Sequence, residues 1–134
     1  MSDAQDLTVV QQQFRDFIAA FDSIILATTN ASGEPESSYA PALQQDGCFY
    51  VFVSDLAAHT ANLKRAAATG SLVSVLLIES EQQARNIFAR QRATLSAQVT
   101  LLARDDPQWE TRLDAMEHKL GNTVGLLRQL GDFH

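Results

Sequence analysis

Three histidines, one cysteine, a run of hydroxyl and amide side chains and a pair of arginines hold most of the chemistry this chain could do. His59 has the densest surroundings, with Ser54, Asp55, Thr60 and Asn62 all within five residues of it. An imidazole among such neighbours can ligate a metal, pass a proton near neutral pH, or donate to an anion. Arg90 and Arg92, with Glu79 and Glu81 upstream, form a second cluster whose cations suit carboxylate or phosphate groups. His118 and His134 stand alone in the sequence, and with Cys48 the only cysteine no zinc-type spacing arises. No glycine-rich phosphate loop is present. A plainer reading stays open for each cluster: a strand-to-helix corner with a surface histidine, and a solvated helix end whose arginines pair with nearby acids.

The elements that must position these groups follow from the hydropathy pattern. Phe49 to Val53 is an aromatic and β-branched run with the composition of a buried strand. Ser54 and Asp55 can then cap a helix over Leu56 to Arg65, with Leu56, Thr60 and Leu63 on one face. A strand entering a capped helix aims several backbone N–H groups at one point, which attracts anions. Before it, residues 1–7 read as a frayed polar start. Val10, Phe14, Phe17, Ile18 and Phe21 then make a helical stripe. Ser23 to Thr29 and Ser37 to Leu43 are strands about an Asn30-Ala31-Ser32-Gly33 turn, and Pro41 belongs at an edge or bulge. Asp46-Gly47 is a strong hairpin signal.

Past the central helix, Thr69-Gly70 marks a stop and Ser71 to Ile78 reads as a nearly apolar strand. Residues 79–92 run from acidic to basic, as a helix aligned with its dipole would, with Ala84, Ile87 and Phe88 as its stripe. Ala93 to Leu102 alternates as a fifth strand. Asp106-Pro107 opens a helix carrying Trp109, Leu113, Met116 and Leu120 on one face. Gly121 ends it, and a shorter helix follows through Val124, Leu127 and Leu130. The expectation is one α+β domain over residues 1–134: an N-terminal helix over 1–22, a largely antiparallel sheet with a central helix over 23–102, and C-terminal helices over 106–130.

Composition narrows the partners. The net charge of −6 on 134 residues argues against nucleic acid and against an anionic membrane surface. No apolar run is long enough to span a bilayer, and Ser2 to Gln13 is too polar for a secretory signal. A single cysteine suits a reducing cytoplasm, and Cys48 before a strand reads as a small core hydrophobe.

Three motifs in this order carry a resemblance. They are Ser38-Tyr39-Ala40-Pro41, the stretch Ser54-Asp55-Leu56-Ala57-Ala58-His59-Thr60-Ala61-Asn62-Leu63, and Phe88-Ala89-Arg90-Gln91-Arg92. The chain resembles the haem-utilisation proteins of the HugZ/HutZ type, within the pyridoxamine 5′-phosphate oxidase-like superfamily, from about Phe21 to Phe133. The resemblance implies a split β-barrel, the FMN-binding barrel of that superfamily, an obligate homodimer and a cofactor cleft at the dimer interface. It points to Ser38, Tyr39, Ser54, His59, Thr60, Asn62, Arg90, Arg92 and Asp132 as cofactor-binding positions.

Haem is the cofactor of the branch this chain resembles, with His59, Arg90 and Arg92 around the propionates or the distal side. The superfamily's oxidases instead hold the FMN phosphate with basic residues, where this sequence reads Ser38, His59 and Thr60. The resemblance therefore implies a haem-binding protein, with haem oxygenase-like degradation as its reaction. An FMN-dependent oxidoreductase and a cofactor-free dimer are the alternatives. In the branch, Leu130-Gly131-Asp132-Phe133 leads into two further strands that close the barrel and carry the iron-ligating histidine, oriented by the aspartate. Asp132 matches that aspartate, whereas His134 is displaced from the ligand position and the sequence given stops before those strands. His59 is the expected substitute ligand for haem iron, His134 a terminal side chain free to swing, and His118 a weaker choice that points away from the buried face.

Overall fold

The computed structural model describes residues 2–134, with side chains described from residue 6. The order is α1 (Ser2–Ala19), β1 (Ser23–Thr29), β2 (Pro35–Gln45), β3 (Cys48–Val51), α2 (Ala58–Thr69), β4 (Val73–Ile78), a 3-10 turn (Ile87–Ala89), β5 (Arg92–Ala97), α3 (Gln108–Leu120) and α4 (Asn122–Leu127). The five strands form one sheet in the order β3-β2-β1-β4-β5, antiparallel at every contact.

Local chemistry accounts for the first half. The Asn30 carboxamide oxygen accepts from Ser32 N and Glu34 N, and Gly33 takes φ +81°, which turns β1 back onto β2. Asp46 and Gly47 both have positive φ, the two-residue hairpin geometry that Asp-Gly favours, and close β2 onto β3. Pro41 sits where β2 changes neighbours: it opposes Ser23 at the last rung with β1, and pairing with β3 starts at Ala42. No ladder bond to β3 is therefore asked of it. Gly70, at φ +74°, closes α2 by donating its N–H to Ala66 O.

Alternation decides the faces. Ile24, Leu26, Ala40, Ala42, Val73, Val75, Leu77 and Ala93 point inward, against Ile18 of α1 and Leu63 and Ala66 of α2. A second core gathers Trp109, Leu113 and Met116 of α3 and Val124 of α4 around Leu43, with Tyr50 and Phe52 packed beside them. The other face of the sheet carries Tyr39, Ile25, Leu76 and Thr94 in one row, with Ile78 and Arg92 in the next, and Tyr39 is 62% exposed.

Several expectations need correction. Residues 79–92 are not a helix. The Ser80 and Asn86 side chains take the N–H groups of Gln83 and Phe88, and Glu79 and Gln91 close the segment into a loop. The strand read over Phe49 to Val53 is the shorter, half-buried edge strand β3, and β5 stops at Ala97 rather than Leu102. Cys48 is exposed beside the hairpin turn, so it is no core residue. Leu56 precedes α2 and is 91% exposed, so it cannot share a buried face with Thr60 and Leu63. Of residues 1–7, read as frayed, 2–7 already belong to α1.

Candidate functional site

The corner between β3 and α2 is built on Ser54. Its carbonyl accepts from Ala57 N and from the Thr60 hydroxyl, and its own hydroxyl accepts from Leu56 N while donating to the Asp132 carboxylate at 2.9 Å. That tightens the turn without capping α2: Ala57 is the N-cap residue, and no side chain caps the helix there. Ser54 thus caps a free N–H of the turn, that of Leu56, as expected, but neither Ser54 nor Asp55 caps α2 itself. Thr60, only 1% exposed, is held by this turn and faces inward.

One turn on, His59 reaches the sheet. Its Nδ1 lies 2.9 Å from Ser38 Oγ on β2, joining two of the sequence motifs through the fold. Burial pulls the imidazole below its ordinary 6.5, so the ring is neutral at neutral pH. When Nδ1–H donates to Ser38 Oγ, the lone pair is left on Nε2, the arrangement that prepares histidine as a metal ligand. Asn62, one turn further on, is buried at 4% exposure and donates to Thr28 Oγ1 at 3.0 Å and Glu36 Oε1 at 2.7 Å. Arg65 Nη1 adds bonds to Thr29 O at 3.1 Å and Asn62 Oδ1 at 3.4 Å. Ser38, His59, Thr60 and Asn62 thus stand on one side of the sheet.

Tyr39, Arg90 and Arg92 do not join them. Tyr39 points to the opposite face from Ser38, as neighbours on a strand must. Arg92 opposes Ile78 at the far end of the β4–β5 ladder. Arg90 is bound into its own loop: Nε and Nη2 both donate to Glu79 O, and Nη1 lies 3.8 Å from Glu81.

The end of the chain lies back along the same corner. Val53 and His134 exchange both backbone bonds, and Asp55 N donates to Asp132 O at 2.8 Å. The His134 ring is 2.9 Å from Asp55 Oδ1 and 3.1 Å from Lys64 Nζ, so the side chain expected to swing freely is tied down. The bond from His134 first, then the one from Lys64, holds the Asp55 carboxyl below its usual range. Arg104 donates to the carbonyls of Leu130, Gly131 and Phe133 while its guanidinium lies over the Trp109 ring. An open cleft of about 570 Å³ runs beside Lys64 and His134 toward Val99 and Leu101.

Sequence reasoning missed Thr28, Glu36, Arg65 and Arg104. Glu36 was within reach of it, since a residue two before Ser38 on a strand shares its face. Thr28, Arg65 and Arg104 gave no such signal, because their partners come from other elements.

Comparison with known proteins places this geometry. Residues 10–134 match the family model described as pyridoxamine 5′-phosphate oxidase. The chain is 32% identical over 124 residues to the heme oxygenase HutZ of Vibrio cholerae, covering 92% of this chain and 68% of that protein. A crystal structure of Vibrio cholerae HutZ, described as a heme storage protein, superposes with a TM-score of 0.82 at 33% identity, over 91% of this chain and 83% of that one. Campylobacter jejuni ChuZ gives 0.84 at 26% identity, over 95% of this chain but only 51% of its own. The antiparallel five-stranded sheet with its helices is consistent with that fold, and the chain belongs to the pyridoxamine 5′-phosphate oxidase family, with the split-barrel architecture that membership carries.

Proposed function

We propose that this protein binds haem as a homodimer, with His59 as the iron ligand and haem utilisation, including oxidative degradation, as its role. The observation that carries the reading is the Ser38–His59 pair. A neutral imidazole whose Nδ1 lies 2.9 Å from Ser38 Oγ fits haem iron, since the tautomer that donates from Nδ1 keeps its lone pair on Nε2. HutZ, a relative at 32% identity described as a heme oxygenase, supports the same cofactor. Bound haem would supply iron for oxygen chemistry; the chain supplies the ligand, cations for the propionates, and shielding.

FMN fits the same corner poorly. Its dianionic phosphate would meet Ser38 and His59 rather than lysine or arginine, with the Glu36 carboxylate bound to Asn62 nearby. Arg65, a cation on α2, donates to Thr29 O and Asn62.

The outward sheet face supports the homodimer. Tyr39, Ile25, Leu76 and Ile78 make a contiguous apolar surface over three strands, the kind of patch that a partner covers. We place the protein in the cytoplasm, which suits its single exposed Cys48; among the described residues no helix is long and apolar enough to cross a membrane.

The test is a haemin titration of the purified protein followed in the visible spectrum, with sedimentation alongside. A histidine-type Soret band that is lost in His59→Ala, on a dimeric protein, is expected. A monomer at micromolar concentration, or a band indifferent to His59→Ala, would overturn the reading.

A further inference from the structure

Both amide protons of Asn62 are engaged within the chain. They go to Thr28 Oγ1 at 3.0 Å and Glu36 Oε1 at 2.7 Å, and Oδ1 accepts from Arg65 Nη1 at 3.4 Å. A buried carboxamide bonded at both ends belongs to the fold rather than to a ligand. What it holds is a cross-strand pair, because Thr28 and Glu36 oppose each other across β1 and β2. Glu36 Oε2 lies 3.5 Å from Asn30 Nδ2, in the turn that joins those two strands.

The next inward-facing rung is Leu26–Ser38, and Ser38 is the partner of His59 Nδ1. Such rungs are about 7 Å apart along the strands, and residues three apart on a helix lie about 5–6 Å apart. His59 and Asn62 therefore stand over neighbouring rungs, one side chain to each. Apolar packing does not choose those rungs. α2 gives Leu63 and Ala66 to the apolar core, and the burial of one leucine and one alanine has no direction. Thr60 bonds back to Ser54 O inside the corner, so it does not choose them either. A helix slipped by one rung would set His59 over Ile24 and Ala40, two side chains that accept no hydrogen bond. Asn62 would then face Leu26 and Ser38, away from the carboxylate.

We infer that Asn62, bonded to the Thr28–Glu36 pair, is a positioning residue that locks the register of α2 on the sheet and so sets His59 Nδ1 against Ser38 Oγ. Fixing register is the best-attested use of a buried polar side chain. Asn62, expected as a cofactor-binding position, then acts on the cofactor through His59 without touching it. Glu36, which no motif singles out, is the acceptor that makes the lock specific to one rung. The inference rests on the haem reading above for what His59 does once it is in place.

Two measurements test the lock. The first follows the ring nitrogens of His59 by NMR in the protein without haemin. Ser38→Ala removes the acceptor directly and marks the signals of a released ring. Asn62→Ala and Glu36→Ala should move the ring to those same signals, while Glu36→Gln, which still accepts from Asn62, keeps the wild-type ones. Lost stability alone moves none of them in a folded chain, and Glu36→Ala, which keeps the Thr28 bond, serves if Asn62→Ala does not fold. The second is a double-mutant cycle on haemin affinity, read from the Soret band. Ser38→Ala and Asn62→Ala should each weaken haemin about tenfold or more, as loss of an orienting partner does. Because both act through His59, the double variant should bind no more weakly than the weaker single variant. Wild-type ring signals in any folded alanine variant would overturn the inference. So would losses that multiply to about a hundredfold in the double variant, which would make Asn62 a haem contact in its own right. Failure of the wild-type protein to bind haemin would overturn the haem reading instead, with the lock still decided by the ring signals.

Discussion

Asn62 offers the sharpest test of what is structural in this corner. Its carboxamide donates to Thr28 Oγ1 and to the Glu36 carboxylate and is almost wholly buried, as is Thr28 at 3% exposure. Asn62→Ala removes one neutral bond, worth about 0.5–1.5 kcal/mol, one to a charged acceptor, worth about 1.5–3 kcal/mol, and the long 3.4 Å bond that Oδ1 accepts from Arg65, which adds little. It also leaves the Thr28 hydroxyl without a donor in a closed site. The expected loss is about 2–4 kcal/mol, which for a domain of this size lowers Tm by roughly 8–15 °C. Asn62→Asp should cost at least as much, since it sets a second carboxylate against Glu36. Glu36→Gln keeps an acceptor for Asn62 and should cost only about 1 kcal/mol. Differential scanning calorimetry of the three variants decides the matter. A Tm within about 2 °C of wild type for Asn62→Ala, together with lost haemin affinity, would show that Asn62 serves a ligand rather than the fold.

Titration of His59 by NMR should give a midpoint below 6.5, because burial disfavours the charged ring. The unfolded chain then takes up the proton first, so the stability tied to neutral His59 is complete above pH 6.5 and declines as pH falls through the folded value; a midpoint above 6.5 refutes this. Arg104→Ala, which removes the bonds to three carbonyls of residues 130–133, should release the chain end at a cost of about 1–2 kcal/mol. Faster hydrogen exchange at Val53 and Asp55, whose amides pair with that end, is the readout, and unaltered exchange would count against the tie. FMN should bind weakly, and a submicromolar dissociation constant by fluorescence quenching would promote the flavin alternative.

What the sequence decided by itself is the part governed by neighbours along the chain. Asp46-Gly47 specifies its hairpin because only small or αL-tolerant residues accept two consecutive positive φ angles. The apolar runs of Ser23 to Thr29 and Val73 to Ile78 specify strands, while the alternating burial of their side chains is set by the packing of the sheet. The order of motifs was enough to recognise the family. Residues 79–92 show the limit of such reading. Their charge gradient suits a helix, yet the side chains of Ser80 and Asn86 and the closure of Glu79 on Gln91 favour a loop. Phe88 consequently moved from a supposed apolar stripe to the most exposed large apolar side chain of that segment. The meeting of Ser38 with His59, the burial of Asn62 on Thr28 and Glu36, and the separation of Tyr39 and Arg92 from all of them were decided only by the tertiary structure. Each depends on how α2 lies across β1 and β2. That packing is set by the summed burial of Leu63, Ala66 and the inward sheet face, a long-range property that no local stretch of the chain encodes.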